Sequence, residues 1–405
     1  MPSQSKTGRL VYLATTFPKL SETFVQREIQ GLLDAGLDIE IRSIWGGGTE
    51  FAGRPVIKFN MWELIGVPYW LLYWGIRKPR VIAQFLGYLV SRPCNWLNFQ
   101  EIYLGAGYGL LKANLLRKSG ARKMHTTWAT MPATTALMVH RLVGIPYSIG
   151  AHAYDIYVAG GDGLLKEKVE SAQFIQSSNQ TARAELIRRF PNHSDKMHCI
   201  RRCLTEMPPY IPRGPKSSKR LSFLSVGRLV PKKGFLNLLR LVASAKSAGY
   251  EWSIKIVGEG PQKEQLAAEM KRLDIEDRVS LTGPLDFESV KREYGSADAF
   301  LFAGVVAPDG DRDGLPNVIP EAMAYSLPVL AEPNPGVQEA IVDGETGWLV
   351  EFQNTAGAIQ KIEAALSSND SDKVLENAYN WVQEHFDISR TAAQLIKLHS
   401  TTEVS

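Results

Sequence analysis

The sequence has few cysteines, little net charge and no long apolar run. Three cysteines among 405 residues, Cys94, Cys199 and Cys203, are too few for a disulfide framework, which fits a reducing compartment. A formal net charge of +4 does not indicate a nucleic-acid binder or a protein with a strongly acidic partner. No stretch reaches the roughly 20 apolar residues of a membrane-spanning helix. The first residues are polar and lead into a strand pattern, so we expect no secretory signal and a cytoplasmic location.

One uncharged stretch, residues 64–76, is rich in aromatic side chains and is followed by a basic segment. Its surroundings combine tryptophans with cations, namely Trp62, Trp70, Trp74, Arg77, Lys78 and Arg80. Two interpretations remain open for residues 62–90. They form either a patch that rests on an anionic membrane, on the inner face of the cytoplasmic membrane, or helices that pack on their own domain.

Strand and helix patterns alternate through both halves of the chain. Residues 10–14, 23–35 and 37–44 have the patterns of a strand, a helix and a second strand, which together form a βαβ unit. The second half, from a strand at residues 221–226 onward, alternates more clearly and predicts a parallel sheet covered by helices. A chain of this length is too long for one core. We therefore predict an α/β protein with two Rossmann-like, doubly wound domains.

A polar, proline-rich stretch separates the two halves and has the composition of a linker. We predict an N-terminal domain over residues 1–210, a linker over 211–218 and a C-terminal domain over 219–378. Residues 379–405 are predicted to be a helical segment that returns toward the N-terminal domain. Ligands of open α/β sheets bind at the carboxyl ends of the strands, so two such domains predict an inter-domain cleft.

A basic turn follows the strand at residues 221–226 and contains Gly227, Arg228, Lys232 and Lys233. A guanidinium group pairs with phosphate in a bidentate manner, and a lysine ammonium group acts as a mobile point charge. The turn is therefore suited to bind a diphosphate, although a solvated basic turn is the structural alternative. Of the two lysines, Lys232 is expected to face solvent.

Glycine turns follow the next two strands of the second half. Gly258 and Gly260 come after one strand, and Gly283 comes after the next. The first pair is a poor dinucleotide fingerprint, because Lys263 stands where a third glycine is needed, so no nicotinamide site is expected. We interpret the turns as strand-to-helix connections that line a nucleotide pocket.

The most constrained segment is residues 309–324, a loop of carboxylates and glycines that leads into a short apolar helix. Asp309, Asp311 and Asp313 suggest the start of an EF-hand. Pro320 occupies the position where that motif needs a bidentate glutamate, so we do not expect calcium. The residues that join the loop to the helix are expected to contact the substrate and are Gly314, Leu315, Pro316, Asn317 and Val318.

The position of Pro320 also predicts where this helix begins. Proline is tolerated only in the first helical turn, so Asn317 is the predicted N-cap and Val318 the first helical residue. The free N–H groups near Val318 and Ile319, with the positive end of the helix dipole, suit a phosphate.

Two acids lie on either side of this helix start. Asp313 and Glu321 can line one pocket and accept hydrogen bonds from the hydroxyl groups of a sugar, or they can serve only to hold the loop.

In the first half, His152 follows an apolar strand at its carboxyl end, a position that favours a functional role. The alternative is a structural histidine, which is the commoner case for a lone histidine. The loop over residues 16–23 lies at the equivalent end of the first strand. Thr23 and Gln26 form a capping box that gives this loop a structural explanation.

Together these segments resemble glycosyltransferase family 4, whose members are retaining enzymes with the GT-B fold. Residues 227–234 are similar to the family's diphosphate-binding turn, and Asp313 and Glu321 occupy its two-acid motif, in which the first acid is usually glutamate. The resemblance implies that Asp313 contacts the donor sugar and that Glu321 holds the ribose hydroxyls. It also implies that His152 lies near the donor sugar.

Residues 17–24 and 308–314 resemble a branch that builds bacterial exopolysaccharides, such as the colanic-acid-type transferases. This implies that the N-terminal domain is on the acceptor side and that the C-terminal domain binds a nucleoside diphosphate sugar. A hexose would move to a lipid-linked saccharide with retention of configuration, without metal or another cofactor. Two alternatives remain: a nucleotide-sugar epimerase or hydrolase of the same fold, and an inactive sugar-nucleotide-binding partner subunit.

Overall fold

The chain divides into two compact units. The computed structural model describes residues 8–19, 22–91, 96–152, 154–157, 164–204, 206–217, 219–307 and 312–401. The first unit comprises the chain up to Cys203 together with the stretch that starts at Ile388, and the second is Leu204–Asp387.

The first unit is built on a mostly parallel sheet. Its elements in chain order are β1 (Leu10–Ala14), α1 (Thr23–Asp34), β2 (Ile39–Ser43), β3 (Glu50–Phe51), β4 (Arg54–Lys58), α2 (Val67–Arg77), α3 (Pro79–Ser91), α4 (Trp96–Lys118), β5 (Lys123–Thr126), α5 (Met131–Val143), β6 (Tyr147–Gly150), α6 (Tyr154–Tyr157), α7 (Leu165–Ser171), β7 (Ile175–Ser177), α8 (Gln180–Arg189) and β8 (Met197–Cys199). The strand order is β3-β4-β2-β1-β5-β6-β7-β8. The pair of β3 and β4 is antiparallel, and the other pairs are parallel.

The second unit is a parallel sheet wrapped by helices. Its elements are β9 (Arg220–Val226), α9 (Phe235–Ser247), β10 (Glu251–Val257), α10 (Lys263–Arg272), β11 (Val279–Gly283), α11 (Phe287–Ser296), β12 (Ala299–Phe302), α12 (Val318–Ala324), β13 (Val329–Ala331), β14 (Trp348–Leu349), α13 (Thr355–Ser367) and α14 (Ser371–His385). The order β11-β10-β9-β12-β13-β14 places β9 between β10 and β12. The predicted α/β class, with two Rossmann-like domains, is confirmed.

The last helix, α15 (Ile388–Thr401), belongs to the first unit and packs on α1. Gly31 of α1 faces it and leaves room for the side chain of Ile388, because a Cβ at Gly31 would lie 2.9 Å from that side chain. Residues 379–405 therefore contain both the end of α14, in the second unit, and α15, in the first.

Helices α2, α3 and α4 fill the long connection between β4 and β5. Helix α4 approaches α5 closely, since a Cβ added at Gly105 would lie 2.6 Å from the carbonyl oxygen of Met131, and one at Gly109 would lie 2.7 Å from the Cβ of Met138. In the part of the chain that the structure describes, no helix combines the length and the apolar character needed to cross a membrane.

Candidate functional site

Loops at the carboxyl ends of β9, β10 and β11 are joined by backbone hydrogen bonds. The Gly227 N–H donates to the Val257 carbonyl at 2.9 Å, and the Gly258 N–H donates to the Gly283 carbonyl at 3.0 Å. Gly258 has a φ of +149°, and a Cβ at this position would overlap the Gly227 carbonyl oxygen. Only glycine permits this approach, so the predicted glycine turns lie side by side.

The basic turn after β9 is fixed to the loop after β10. The Leu229 N–H donates to the Glu259 carbonyl at 2.9 Å, and the Gln262 N–H donates to the Leu229 carbonyl at 3.0 Å. A Cβ at Gly260 would lie 2.5 Å from the Leu229 carbonyl oxygen, so this loop also requires glycine for its approach. Arg228 is exposed on the turn.

Both lysines of the turn point to one carboxylate. The Lys233 Nζ lies 2.6 Å from Asp313 Oδ2, and the Lys232 Nζ lies 3.5 Å from Asp313 Oδ1. Lys232 is buried, so its predicted exposure to solvent is wrong. The reason is the short 3₁₀ turn Pro231–Lys233, which ends at Gly234 and turns both side chains inward.

The Asp313 carboxylate is held ionised by these lysines. Burial alone would raise its pKa, but the charges of Lys233 and Lys232 and their hydrogen bonds outweigh burial and lower the pKa of Asp313 below its usual value. The Lys233 Nζ also lies 5.3 Å from the centre of the Phe302 ring at the end of β12. The pair of Lys233 and Asp313 is therefore fixed in a largely dry environment.

Helix α12 begins as the position of proline predicts. Asn317 is the N-cap and Val318 the first helical residue, with Pro320 in the first turn. The Ile319 N–H donates to the Pro316 carbonyl at 3.1 Å. Pro320, the next residue, has no N–H to donate. The Ile319 N–H is therefore already used within the loop, which leaves fewer donors for a phosphate than expected.

The segment before α12 is held by backbone packing. Gly314, Leu315 and Pro316 are buried. A Cβ at Gly336 would overlap the carbonyl oxygen of Gly314, so the two backbones are in close contact. The structure thus gives these residues a structural role beside the acids.

Glu321 has a partner that the sequence did not indicate. The hydroxyl of Tyr294 in α11 donates to Glu321 Oε2 at 3.3 Å, and the Tyr294 ring stacks on Tyr325 with centroids 5.5 Å apart. Tyr294 is fully buried. Its spacing from Val290 marks the buried face of α11, but that pattern does not reveal the acid on the neighbouring helix.

In the first unit, His152 is buried between two aromatic rings. Phe24 and Trp128 each meet it edge to face, with centroids 5.6 and 5.5 Å away. Burial, and then the charges of Arg202 and His125, keep the pKa of His152 well below its ordinary value, so the ring is neutral. Its Nδ1 is buried and has no hydrogen-bond partner among the residues that the structure describes.

The backbone around His152 is clamped by two buried charged groups. Asp155 accepts from the N–H of His152 at 3.0 Å and from the N–H of Ala129 at 3.1 Å. The Lys168 ammonium donates to the carbonyls of Ala129 and Thr130 at 2.7 and 3.0 Å. The sequence does not predict a role for Asp155 or Lys168; the available signal is the position of Asp155, three residues after His152.

The predicted capping box at the start of α1 is wrong. Glu22 occupies the N-cap position, so Thr23 is already helical and makes no capping hydrogen bond. Gln26 instead donates to the Lys19 carbonyl at 3.1 Å. Glu22 Oε2 accepts a 3.1 Å hydrogen bond from the Trp128 indole, and this fixes one of the two rings around His152.

A buried polar cluster lies under α1 and was not predicted. Glu28 accepts hydrogen bonds from the Tyr12 hydroxyl and the Gln176 amide, and His125 Nε2 lies 3.9 Å away. Burial raises the pKa of Glu28 to about 7, against smaller lowering effects of Gln176 and Arg202. The signal in the sequence was weak, since Glu28 lies on a helix with a regular amphipathic pattern.

The structure brings Lys233 and Asp313 together and packs the glycine turns against each other, while Glu321 pairs with Tyr294. His152 lies in the other unit. Asp309 and Asp311 lie outside the described residues. Among the described residues, no group of three or more His, Cys, Asp or Glu side chains is arranged to hold a metal ion.

Comparisons with known proteins identify similar sequences and structures. Residues 208–381 match the family model described as Glycosyl transferases group 1. The Escherichia coli (strain K12) protein WcaL, named as a colanic acid biosynthesis glycosyltransferase, is 27% identical over 407 residues, which cover 94% of this chain and 97% of WcaL. A Campylobacter jejuni N-acetylgalactosaminyltransferase, named for a diphospho-undecaprenol substrate, is 31% identical over 176 residues, 43% of this chain and 45% of that protein.

The crystal structure of Anabaena HepE in complex with UDP superposes with a TM-score of 0.69 at 16% identity, covering 97% of this chain and 100% of that one. This likeness shows the fold, which is GT-B. The family match over the second unit and the near full-length relative support an exopolysaccharide-type glycosyltransferase.

Proposed function

We propose that this protein moves a hexose from a nucleoside diphosphate sugar to a lipid-linked saccharide, with retention of configuration, in the synthesis of a bacterial cell-surface polysaccharide. The observation that carries the proposal is the position of Lys233 at the carboxyl end of β9, beside the glycine turns and 2.6 Å from Asp313. The UDP complex of the Anabaena protein supports a nucleotide donor, and the name of the Campylobacter relative supports a lipid-linked acceptor.

The basic turn would bind the donor diphosphate. Negative charge accumulates on the diphosphate as the bond to the sugar breaks, so fixed cations lower the barrier more than they strengthen donor binding. Lys233 and the exposed Arg228 would supply that charge, and the packed glycine turns at Gly227, Gly258 and Gly260 would line the nucleotide pocket. We propose that these cations take the part that a metal ion plays in other transferases, so that no cofactor is needed.

The acids would orient the donor. Asp313 is ionised and fixed by two lysines, and it would accept a hydrogen bond from a hydroxyl of the donor sugar. Glu321, which accepts a hydrogen bond from Tyr294 at 3.3 Å, would bind the ribose hydroxyls. His152 is neutral, so it would donate a hydrogen bond to the donor sugar without adding a positive charge.

A donor panel tests this function. The full chain is incubated with UDP, GDP and ADP sugars and a membrane lipid extract, and release of nucleoside diphosphate is measured. We expect release to depend on the extract and on one class of donor. Release without extract, with free or epimerised sugar as the product, would instead indicate the hydrolase or epimerase, and donor binding without turnover would indicate a binding partner.

Lys233→Ala should lower turnover by about a hundredfold to a thousandfold, the usual loss for one group that stabilises developing charge. Lys271→Ala, which removes an exposed lysine from α10 of the same unit, is the matched control and should leave turnover unchanged. Turnover of Lys233→Ala close to that of the parent would contradict the assignment of the diphosphate site.

A further inference from the structure

An apolar stripe on the first unit faces solvent. It runs along the 3₁₀ turn Met61–Gly66 and α2. Its members follow one another at intervals of three or four residues, which places them on one side of the helical segment, and they are 62 to 77% exposed: Trp62, Ile65, Tyr69, Leu72 and Ile76. Leu86 of α3 is also exposed.

The opposite side of the same segment is apolar as well and is packed inside the unit. Trp74 is 3% exposed, and its indole N–H donates to the Leu110 carbonyl at 3.0 Å. Val67 is buried beside it. Of the aromatic residues expected at a membrane, the structure therefore turns Trp74 inward and leaves Trp62 outward.

A helix that is apolar on all sides is normally buried on all sides. In the part of the chain that the structure describes, one side of α2 is covered and the other is exposed, and no charged residue of α2 appears before Arg77. Exposed apolar patches of this kind mark contacts with proteins or membranes. The interpretation in which residues 62–90 pack on their own domain thus holds for one side of α2, and the opposite side faces solvent.

The exposed charges where α2 meets α3 are all positive. Arg77, Lys78 and Arg80 are exposed where α2 meets α3. The one acid within residues 61–91 is Glu63, which is already bonded to Lys112. An anionic bilayer takes up an apolar helix face with Trp and Tyr at its boundary and lysine or arginine at its rim, whereas the rim of a protein interface is of mixed polarity.

We propose that this stripe, with Arg77, Lys78 and Arg80, is the surface by which the protein lies on an anionic phospholipid bilayer, with α2 parallel to the membrane plane. The occupant is the lipid surface, which meets both the apolar side chains and the cations. This goes beyond the proposed transfer reaction and does not depend on it, because binding to vesicles is measured without a donor.

The test is sedimentation of the full chain with vesicles that contain phosphatidylglycerol, with vesicles of phosphatidylcholine alone as the comparison. We expect binding to the first and much weaker binding to the second, and binding should weaken as salt is added. Binding to neither kind of vesicle overturns the proposal.

Two sets of variants separate the apolar and the charged contributions. The double variant Leu72→Gln with Ile76→Gln should reduce the partition onto anionic vesicles by at least about tenfold, since two exposed apolar side chains no longer enter the bilayer. Lys78→Gln with Arg80→Gln should reduce it by about fivefold for each charge removed, with less dependence on salt.

The matched control is Ile211→Gln with Val342→Gln, which removes two similarly exposed apolar side chains from the second unit. It should bind vesicles like the parent. If all variants partition equally, the proposal is wrong.

A second outcome also contradicts the proposal. The parent would be dimeric in analytical ultracentrifugation, the Leu72 and Ile76 variant would be monomeric, and both would bind vesicles equally, because the stripe is then an interface between two copies. Because the charge variants leave the apolar contacts intact, they keep the test valid if the apolar variants fold poorly.

Discussion

Asp313 is the residue on which the proposed donor site depends most. Its two oxygens face two lysines, at 2.6 Å from Lys233 and 3.5 Å from Lys232. A buried carboxylate between two cations is a counter-ion as well as a hydrogen-bond acceptor, so it can either organise the lysines for the diphosphate or act on the sugar itself.

Asp313→Asn separates the two roles. It keeps the shape of the side chain and removes its charge, so Lys233 becomes freer to pair with phosphate. If Asp313 acts on the sugar, we expect kcat to fall by about a hundredfold to a thousandfold, while the nucleoside diphosphate binds as tightly as before or more tightly. Calorimetric titration of the nucleotide and a turnover assay measure both quantities.

Asp277→Asn, which changes a surface aspartate paired with Lys246 and Arg278, serves as the control and should alter neither quantity. A variant at Asp313 that keeps kcat but loses nucleotide affinity would show that Asp313 organises the diphosphate site instead.

Glu28 predicts a pH dependence of stability in the first unit. Its pKa is about 7 in the folded chain and near 4.5 in the unfolded one, so between these values the folded state holds a proton that the unfolded state has lost. The contribution of Glu28 to the free energy of unfolding is therefore fully present at low pH and is lost as the pH rises from about 4.5 through 7. At 1.36 kcal/mol per pKa unit, the loss is about 3 kcal/mol.

Glu28→Gln, which can still accept a hydrogen bond from Tyr12, should remove this component. Its free energy of unfolding relative to the parent should rise between pH 5 and pH 8, as measured by urea denaturation at each pH. Asp34→Asn, at the exposed end of the same helix, is the comparison and should show no such change. An unchanged difference between the Glu28 variant and the parent across this range would mean that Glu28 is ionised in the folded chain.

The loops at the carboxyl ends of β9 and β10 are the elements that form the donor site. Their approach depends on glycine, because a Cβ at Gly258 would overlap the carbonyl oxygen of Gly227. Gly258→Ala should therefore separate the loops, destabilise the second unit by about 2 to 4 kcal/mol and weaken nucleotide binding. Thermal unfolding and nucleotide titration measure the two effects.

Gly295→Ala is the control, because a Cβ there meets nothing within 4 Å and its φ is not positive. It should leave nucleotide binding unchanged and stability equal or slightly higher, since alanine is the better helix former. Equal stability of the Gly258 variant and the parent would mean that the two loops can move apart without cost.

Elements with a strong pattern were predictable from the sequence, and elements defined by packing were not. The strand at residues 299–302 and the start of α12 follow from an apolar run and from the position of Pro320. Helix α5 has little amphipathic pattern, because most of its residues are buried, and β8 has only three residues. The contact of Tyr294 with Glu321 joins two helices, so no local pattern could indicate it. The burial of Lys232 could not be predicted for the same reason, because its partner Asp313 is distant in sequence. Asp313 is eighty residues from Lys233, the neighbour of Lys232, and both lysines face it.

At the scale of the whole molecule, the first unit is built from two separate stretches of the chain. Helix α15 covers α1, Leu395 is fully buried, and His399 meets Phe174 with ring centroids 5.0 Å apart. The stability of the first unit therefore depends on residues that follow the second unit in sequence. Leu395→Ala should destabilise the first unit by about 2 to 5 kcal/mol, so it identifies the unfolding transition of that unit.

The two units should respond differently to mild acid. His399 has a pKa of about 3, and burial also lowers the pKa of His125 and His152 well below the ordinary value. The unfolded chain takes up these protons near pH 6.5 and the folded chain does not, so stability is lost as pH falls below 6.5. The loss is about 1.4 kcal/mol per pH unit for each histidine, which outweighs the opposite effect of the single carboxyl of Glu28.

The second unit contains one histidine, His385. Its carboxylates with a lowered pKa, such as Asp313 and Asp286, reduce the stability of the unit only when the pH falls below the usual pKa range of aspartate. Lowering the pH from 7 to 5 should therefore move the transition that Leu395→Ala identifies to lower temperature and move the other transition much less, as measured by scanning calorimetry. Gln394→Ala, the exposed neighbour of Leu395, controls for the substitution itself. If the transition of the first unit does not move to lower temperature at pH 5, the buried histidines of that unit are protonated in the folded chain, and the neutral state proposed for His152 is wrong.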